Sequence, residues 1–345
     1  VIIGAVFVST GRIMRVEQRR GGQTETVHRV HVAVVDADGA LIARAGDPDL
    51  VTFWRSAAKP FQAMPLVTDG AADRFGLTPA ELALCCASHS SEPAQVEQVK
   101  EFLQRIGCSE RDLRCGPHSP LADHVAKDYQ KRGVRLTPVY SNCSGKHTGM
   151  LALARHHEWP TEDYHRLAHP VQQRCLEAVS HWTGVAADRI GTAVDGCGVV
   201  CYALPLRTMA LAYARLGTWD RGPGRGEDPT SLPPSSSRIV ESMLRHPELI
   251  AGERRPCTEM MRAHPGQVIT KVGAEGVYSA LLVRERLGIA LKIEDGHDHA
   301  AALAIAAVLE QLGLRPQPES LAVRPNLNTR GEQVGELRVF GTLEQ

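Results

Sequence analysis

Lysine and arginine together number 39, and so do aspartate and glutamate, which leaves no formal net charge over 345 residues. A chain without a field of one sign has nothing general to offer a nucleic acid or an anionic membrane, so a small-molecule partner is expected. Uninterrupted apolar runs of membrane length are also missing. The opening run Val1 to Val8 is too short to span a bilayer and carries no basic leader, so a terminal strand is expected there. The nine cysteines are an odd set with no paired-knuckle spacing, which suits reduced thiols in a cytoplasm better than a disulfide framework. Most should be buried apolar fillers. No internal repeat is present, and the length suffices for one large domain or two interlocked subdomains.

Periodicity gives the organisation. Val32 to Val35, the Asp36-Ala37-Asp38-Gly39 turn and Leu41 to Gly46 form a strand, a turn and a second strand. Thr78-Pro79-Ala80-Glu81 supplies an N-cap, an N1 proline and an N3 glutamate for a helix that ends before Ala87. Further helices are expected from Pro93 to Ile106, Leu121 to Arg132, Thr148 to His157, His169 to Trp182, Leu206 to Leu216, Ser235 to His246 and His299 to Leu312. Residues 217–234, rich in glycine and proline, should be a surface loop. Strands return at Gln267 to Val272, Val277 to Val283 and Leu287 to Ile293. The expectation is an α+β fold with an antiparallel sheet assembled from both chain ends around a helical middle. Residues 1–72 with 264–345 would form the sheet subdomain and 73–263 a mainly helical one, with the active site between them.

Three stretches carry groups capable of chemistry. Ser56-Ala57-Ala58-Lys59-Pro60 places a hydroxyl and an amine three residues apart at a helix start, on one face. The helix dipole and burial would both disfavour the charged ammonium. Taken alone, the tetrapeptide fits an ordinary capped helix start better. Ser88, in Ala87-Ser88-His89-Ser90-Ser91-Glu92, follows an apolar helix where a chain turns at the rim of a cleft. Lys271-Val272-Gly273 ends a strand and is similar to the Lys-Thr-Gly element of active-site-serine acyl-transfer enzymes. Ser88 as a helix C-cap and Lys271 as a solvated strand end remain the bland readings. The order of the three along the chain matches that of penicillin-recognising serine hydrolases.

The segments around Ser56, Ser88 and Lys271, together with Ser141-Asn142-Cys143-Ser144-Gly145-Lys146-His147 and Thr192-Ala193-Val194-Asp195-Gly196-Cys197-Gly198, resemble the rhizobial-type (class 3) L-asparaginases of the asparaginase II family. The likeness runs from about Gly21 to Ile293, and Asn142 to His147 is its most specific part. It implies a fold similar to serine β-lactamases and glutaminases, a homodimer, and hydrolysis of L-asparagine to L-aspartate and ammonia. It makes Ser56 with Lys59, and Ser88 with Lys271, two Ser-Lys pairs, with Ser56 as the nucleophile and Ser88 as a relay, or the reverse. It also implies an auxiliary zinc on Cys143, Lys146 and Cys197, a substrate-ammonium site at Asp195, and Arg55 and His147 as neighbours of the substrate. Cys257 matches a family cysteine near the pocket.

From spacing alone, one Cys-x-x-Lys and a distant cysteine make a poor zinc signature, and a lysine ligand must be neutral. The sequence departs from the family pattern where Gly198-Val199-Val200 follows Cys197, which bears on selectivity. The competing readings are a serine amidase for another primary amide and a zinc- or amino-acid-binding protein without turnover. The β-lactamase reading is weakened by the lack of a Ser-Asp-Asn element.

Overall fold

The computed structural model describes residues 14–218 and 235–345. The terminal strand expected at Val1 to Val8 and nearly all of the expected 217–234 loop lie outside them. Strands β1 (Arg15–Arg20), β2 (Gln23–Val35), β3 (Leu41–Ala45) and β4 (Val51–Phe53) come first. Helices α1 (Lys59–Thr68), α2 (Ala71–Arg74), α3 (Pro79–Cys85), α4 (Pro93–Arg105), α5 (Asp123–Lys131), α6 (Ser144–His156) and α7 (Pro170–Thr183) follow, then β5 (Gly191–Val194), β6 (Val200–Pro205) and α8 (Leu206–Leu216). Helices α9 (Ser235–Arg245), α10 (Pro247–Ile250) and α11 (Pro256–Ala263) lead into β7 (Val268–Val272), β8 (Val277–Leu282) and β9 (Leu287–Ile293), and α12 (Asp298–Gln311), β10 (Val323–Leu327) and β11 (Gln333–Phe340) complete the chain.

The α+β architecture is as expected, and the main sheet does draw on both chain ends. Its order is β10-β11-β1-β2-β9-β8-β7 with β3 on β2, and every pairing is antiparallel. Strand β2 is long enough to serve three partners. Its first part pairs with β1, while Val30 to Val35 face β9 and Val32 to Val35 face β3. Strand β8 is buried at every residue and β9 nearly so, as strands covered on both faces must be. The helices that pack on them are α8 and α12. Helix α8 comes from the middle of the chain, so the sheet-forming and helical parts interleave. Strands β1, β10 and β11, of which only β10 lies at the sheet's edge, were not among the expected elements. Charged residues in β1 and half-exposed ones in β10 conceal any apolar alternation. A second sheet, β4-β6-β5, was also unexpected, and it carries the approach to Trp54.

Helix α6 begins at Ser144 rather than Thr148, so Lys146 and His147 lie in its first turn. The glycines that suggested a turn serve close packing instead. A Cβ on Gly145 would run into the Leu84 carbonyl oxygen, and one on Gly149 would lie 2.8 Å from Cys85 Sγ. Their lack of side chains seats α6 directly on α3, which sets the Cys143–His147 segment beside the Ala87–Ser91 loop. Among the described residues, no helix is long and apolar enough to cross a membrane. Substituting Gly145→Ala should lower the unfolding free energy by about 1–3 kcal/mol, the range for overpacking a tight contact. Urea denaturation measures it, and an unchanged midpoint at constant slope would contradict the close approach.

Candidate active site

The segment entering α1 is fixed from several sides. Trp54 is fully buried, its N–H donates to the Tyr202 carbonyl at 2.8 Å, and its indole Nε1 donates to Ser279 Oγ at 3.1 Å. Tyr213 donates its hydroxyl to the Ala57 carbonyl at 2.8 Å. Between these anchors Arg55 takes φ +53°, a left-handed conformation that costs a non-glycine residue about 1–3 kcal/mol. The surroundings hold it there. Residues Arg55 to Ala58 form a 3-10 turn, and α1 proper starts at Lys59. Ser56 is half-buried, and neither its hydroxyl nor its N–H is hydrogen-bonded to another described residue.

Lys59 is completely buried, and its Nζ lies 2.5 Å from the Ala87 carbonyl oxygen and 3.0 Å from Ser88 Oγ. The amine therefore reaches across to the α3 loop and not back to Ser56, three residues earlier. Lys271, also completely buried, places Nζ 2.8 Å from the same Ser88 Oγ and 2.9 Å from the Val272 carbonyl. One serine hydroxyl thus bridges two lysines. Burial, and then the neighbouring charge of Lys59, press Lys271 down to about 7, so near neutral pH an uncharged amine sits against Ser88. The Ser88 loop is fixed through its backbone, Ser88 N–H donating to Ile250 at 2.8 Å and His89 N–H to Asn142 at 3.2 Å.

Cys257 sets the position of Lys271. Its Sγ accepts from Val272 N–H at 3.3 Å and lies 2.8 Å from the Tyr278 hydroxyl, while its carbonyl accepts from Thr270 Oγ1 at 3.3 Å. Both chain neighbours of Lys271 are therefore tied to one residue of α11. His89 went unassigned at the sequence level. Its Nδ1 accepts from Ser91 N–H at 3.1 Å, which leaves Nε2 to donate to Ser144 Oγ at 2.8 Å and couples the Ser88 loop to the start of α6. Burial holds this imidazole neutral, its pKa down to about 3. The signal was present in the Ser88-His89 pair, but its partner lies 55 residues away.

Cys143, Lys146 and Cys197 converge. Lys146 donates to Cys197 Sγ at 3.1 Å, and the thiol of Cys143 is hydrogen-bonded to Cys197. That bond, with Lys146 beside it, holds Cys197 well below the usual thiol range. Burial alone would lower Lys146, but Cys197, Cys143 and Asp195 outweigh it and raise its pKa, so the depressed amine expected for a ligand is not its condition in the protein alone. No group of three or more His, Cys, Asp or Glu side chains gathers as for a metal among the described residues. Two thiols and one lysine amine are the donors brought together here.

Arg55 and Asp195 are bonded to each other, Nε to Oδ1 at 2.7 Å. Burial would raise the Asp195 carboxyl, but Lys146 and Arg55 hold it below its ordinary value. His147 is fully buried, its Nδ1 lies 2.6 Å from the Tyr164 hydroxyl, and its Nε2 has no partner among the described residues. A cleft of about 840 Å³ opens over the site. Of the expected residues only Ser56 and Ser88 line it, with Cys257, Gly273, Ala274 and Tyr278 on the adjacent wall.

Comparison with solved structures gives distant likenesses only. Mglu in its native form matches at 15% identity and a TM-score of 0.47, over 85% of this chain and 67% of that one. A putative beta-lactamase from Bacteroides dorei matches at 12% identity and 0.36, over 83% and 88% of the two chains. Simvastatin synthase (LovD) from Aspergillus terreus, in a mutant form, matches at 12% and 0.32, over 79% and 87%. No curated protein sequence matches the chain. The family model for L-asparaginase II matches residues 16–339, so the likeness extends past both limits expected from the motifs. With that match spanning nearly the whole chain, including every residue of the Ser88 bridge, the protein belongs to the L-asparaginase II family.

Proposed function

We propose that the protein hydrolyses the side-chain amide of L-asparagine to L-aspartate and ammonia through a serine acyl-enzyme, with Ser56 as the nucleophile and Ser88 as the proton relay. The observation that carries this reading is the single Ser88 hydroxyl held between the buried amines of Lys59 and Lys271, with the half-buried Ser56 lining the same cleft as Ser88. A nucleophile needs room for a trigonal carbon to approach. Ser56 meets that requirement, whereas Ser88 is 2% exposed and its oxygen already has two amine partners.

The proton path follows from the amines. As Ser56 Oγ attacks the amide carbon, its proton enters the Ser88–lysine network, where Lys271 is the uncharged acceptor near neutral pH. The network returns one proton through Ser88 Oγ to the departing nitrogen, which leaves as ammonia. Water then cleaves the ester, and its proton restores the Ser56 hydroxyl. Ser56 and Lys59 share no hydrogen bond among the described residues, and catalytic contacts of this kind commonly tighten only in the reactive complex. Ser56 and Ala274 both line the cleft and their N–H groups donate to no other described residue, so they are the candidates to hold the oxyanion. Such a donor contributes about 3–4 kcal/mol. Asp195 would take the substrate ammonium.

The converging donors also fit the implied metal. Two sulfurs and an amine that meet here could serve as ligands once their protons leave. Cys143, Lys146 and Cys197 would hold zinc, which when bound supplies a fixed positive charge that orders this wall and helps to position the substrate.

Intact-mass analysis after rapid quenching with L-asparagine should find a covalent adduct in the wild-type protein and none in Ser56→Ala. The Ser88→Ala variant should still acylate, with kcat lower by about 10²–10⁴ for lack of the relay. An adduct that survives Ser56→Ala and disappears in Ser88→Ala would reverse the two roles.

The active form of Lys271 is neutral, so activity is lost as pH falls through its pKa. kcat/KM should drop tenfold per pH unit well below about 7 and level off above it. A flat profile between pH 5 and pH 8 would exclude Lys271 as the base. Elemental analysis should find one zinc per chain, lost in Cys143→Ala together with a lower melting temperature. A metal-free wild-type protein after zinc loading and desalting would remove the metal from the mechanism.

A further inference from the structure

The cleft is far larger than the release of ammonia needs, about 840 Å³ against the roughly 30 Å³ of a water-sized molecule. It also lies on the leaving-group side. Ser88, the relay to the departing nitrogen, lines the cleft, while Arg55 and Asp195, which serve the acyl half, do not. Beyond the serines the cleft is lined by the apolar Leu121, Leu303 and Leu321. Its walls carry Lys127, Arg254 and Arg324, none of which forms an ion pair with a described residue. Arg255 is nearer still to the chemistry, its guanidinium held on Ser90 Oγ at 3.1 Å, two residues from Ser88.

One acid of the same cleft is neutralised, Glu253 accepting two bonds from Arg262 at 2.6 and 2.7 Å. Glu259 accepts from Ser320 at 2.9 Å and Asp298 from Gly276 N–H at 3.0 Å, and both keep their charge. Asp123, Glu259 and Asp298 therefore stand against the four cations Lys127, Arg254, Arg255 and Arg324. The lobe therefore suits a group that is apolar in its body and anionic at its end, attached to the nitrogen that leaves.

We propose that the same site hydrolyses β-aspartyl dipeptides in which the leaving amino acid is apolar. This inference rests on the asparaginase reading. Only the substituent on nitrogen changes. Ser56 Oγ forms the ester to the side-chain carbon, the carbon–nitrogen bond breaks, and the α-amino group of the leaving residue takes the proton from Ser88. Water then releases aspartate. The leaving residue lays its side chain on these leucines and directs its carboxylate to the cationic walls.

The test compares L-asparagine, β-aspartyl-leucine and β-aspartyl-leucinamide as substrates of the full chain, by amino-acid release. Expected is turnover of β-aspartyl-leucine at a kcat/KM about tenfold or more above that of the leucinamide, which lacks the carboxylate. The exposed-site variants Lys127→Glu and Arg324→Glu should each narrow that ratio and leave asparagine hydrolysis unchanged. Asparagine turnover without dipeptide turnover overturns this inference alone, as does equal use of dipeptide and leucinamide. Inactivity on all three substrates by folded protein overturns the asparaginase reading beneath it.

Discussion

Two lysine amines buried against one serine oxygen dictate most of what surrounds them. Amines withdrawn from water are costly to keep charged, and two of them at 3.0 and 2.8 Å from a common atom cannot both be charged cheaply. The protein resolves this by lowering Lys271 and by supplying carbonyl acceptors, Ala87 to Lys59 and Val272 to Lys271. Proton traffic is the natural outcome of such a cluster, because the state with one proton missing is the comfortable one.

Holding that cluster requires rigidity on every side, and the fold provides it through elements remote in sequence. The α1 entrance is fixed by Trp54 and Tyr213, the Ser88 loop by Ile250 and Asn142, and the β7 terminus by Cys257. Arg55, Ser91, Arg254 and Glu275, four of the seven described non-glycine residues with positive φ, all adjoin these segments. Backbone strain is thus concentrated where the geometry has to be fixed most tightly. Gly145 and Gly149 make the complementary contribution, letting α6 approach α3 without any side chain between them.

Much of this was legible in the sequence, and the misses have physical causes. The Thr78 capping box, the central hairpin and the three late strands follow from local chemistry, which survives folding unchanged. The chemical groups were also legible, since Ser56, Lys59, Ser88 and Lys271 stand in recognisable surroundings. The pairing of Ser88 with Lys271 was legible through the family resemblance, whereas Ser56 and Lys59 are not bonded. Helical spacing suggested that Lys59 faces Ser56, but a lysine side chain is long, and tertiary contacts brought Ala87 and Ser88 within its reach. The start of α6 is hidden in the sequence because glycine there reads as a turn signal, whereas its role is proximity. The second sheet and strands β1, β10 and β11 were hidden by short length and by charged side chains that break the apolar alternation.

The Arg55–Asp195 bond has a bearing on affinity. Under the proposed reading, an amino acid whose ammonium comes to Asp195 finds Oδ1 already bonded to a guanidinium at 2.7 Å, so it meets a carboxylate whose charge is partly offset. The gain in free energy is reduced by that prior pairing, however good the final contact looks. Loose ground-state binding of that kind leaves the bound substrate in no deep well, and the climb to the transition state starts from higher ground.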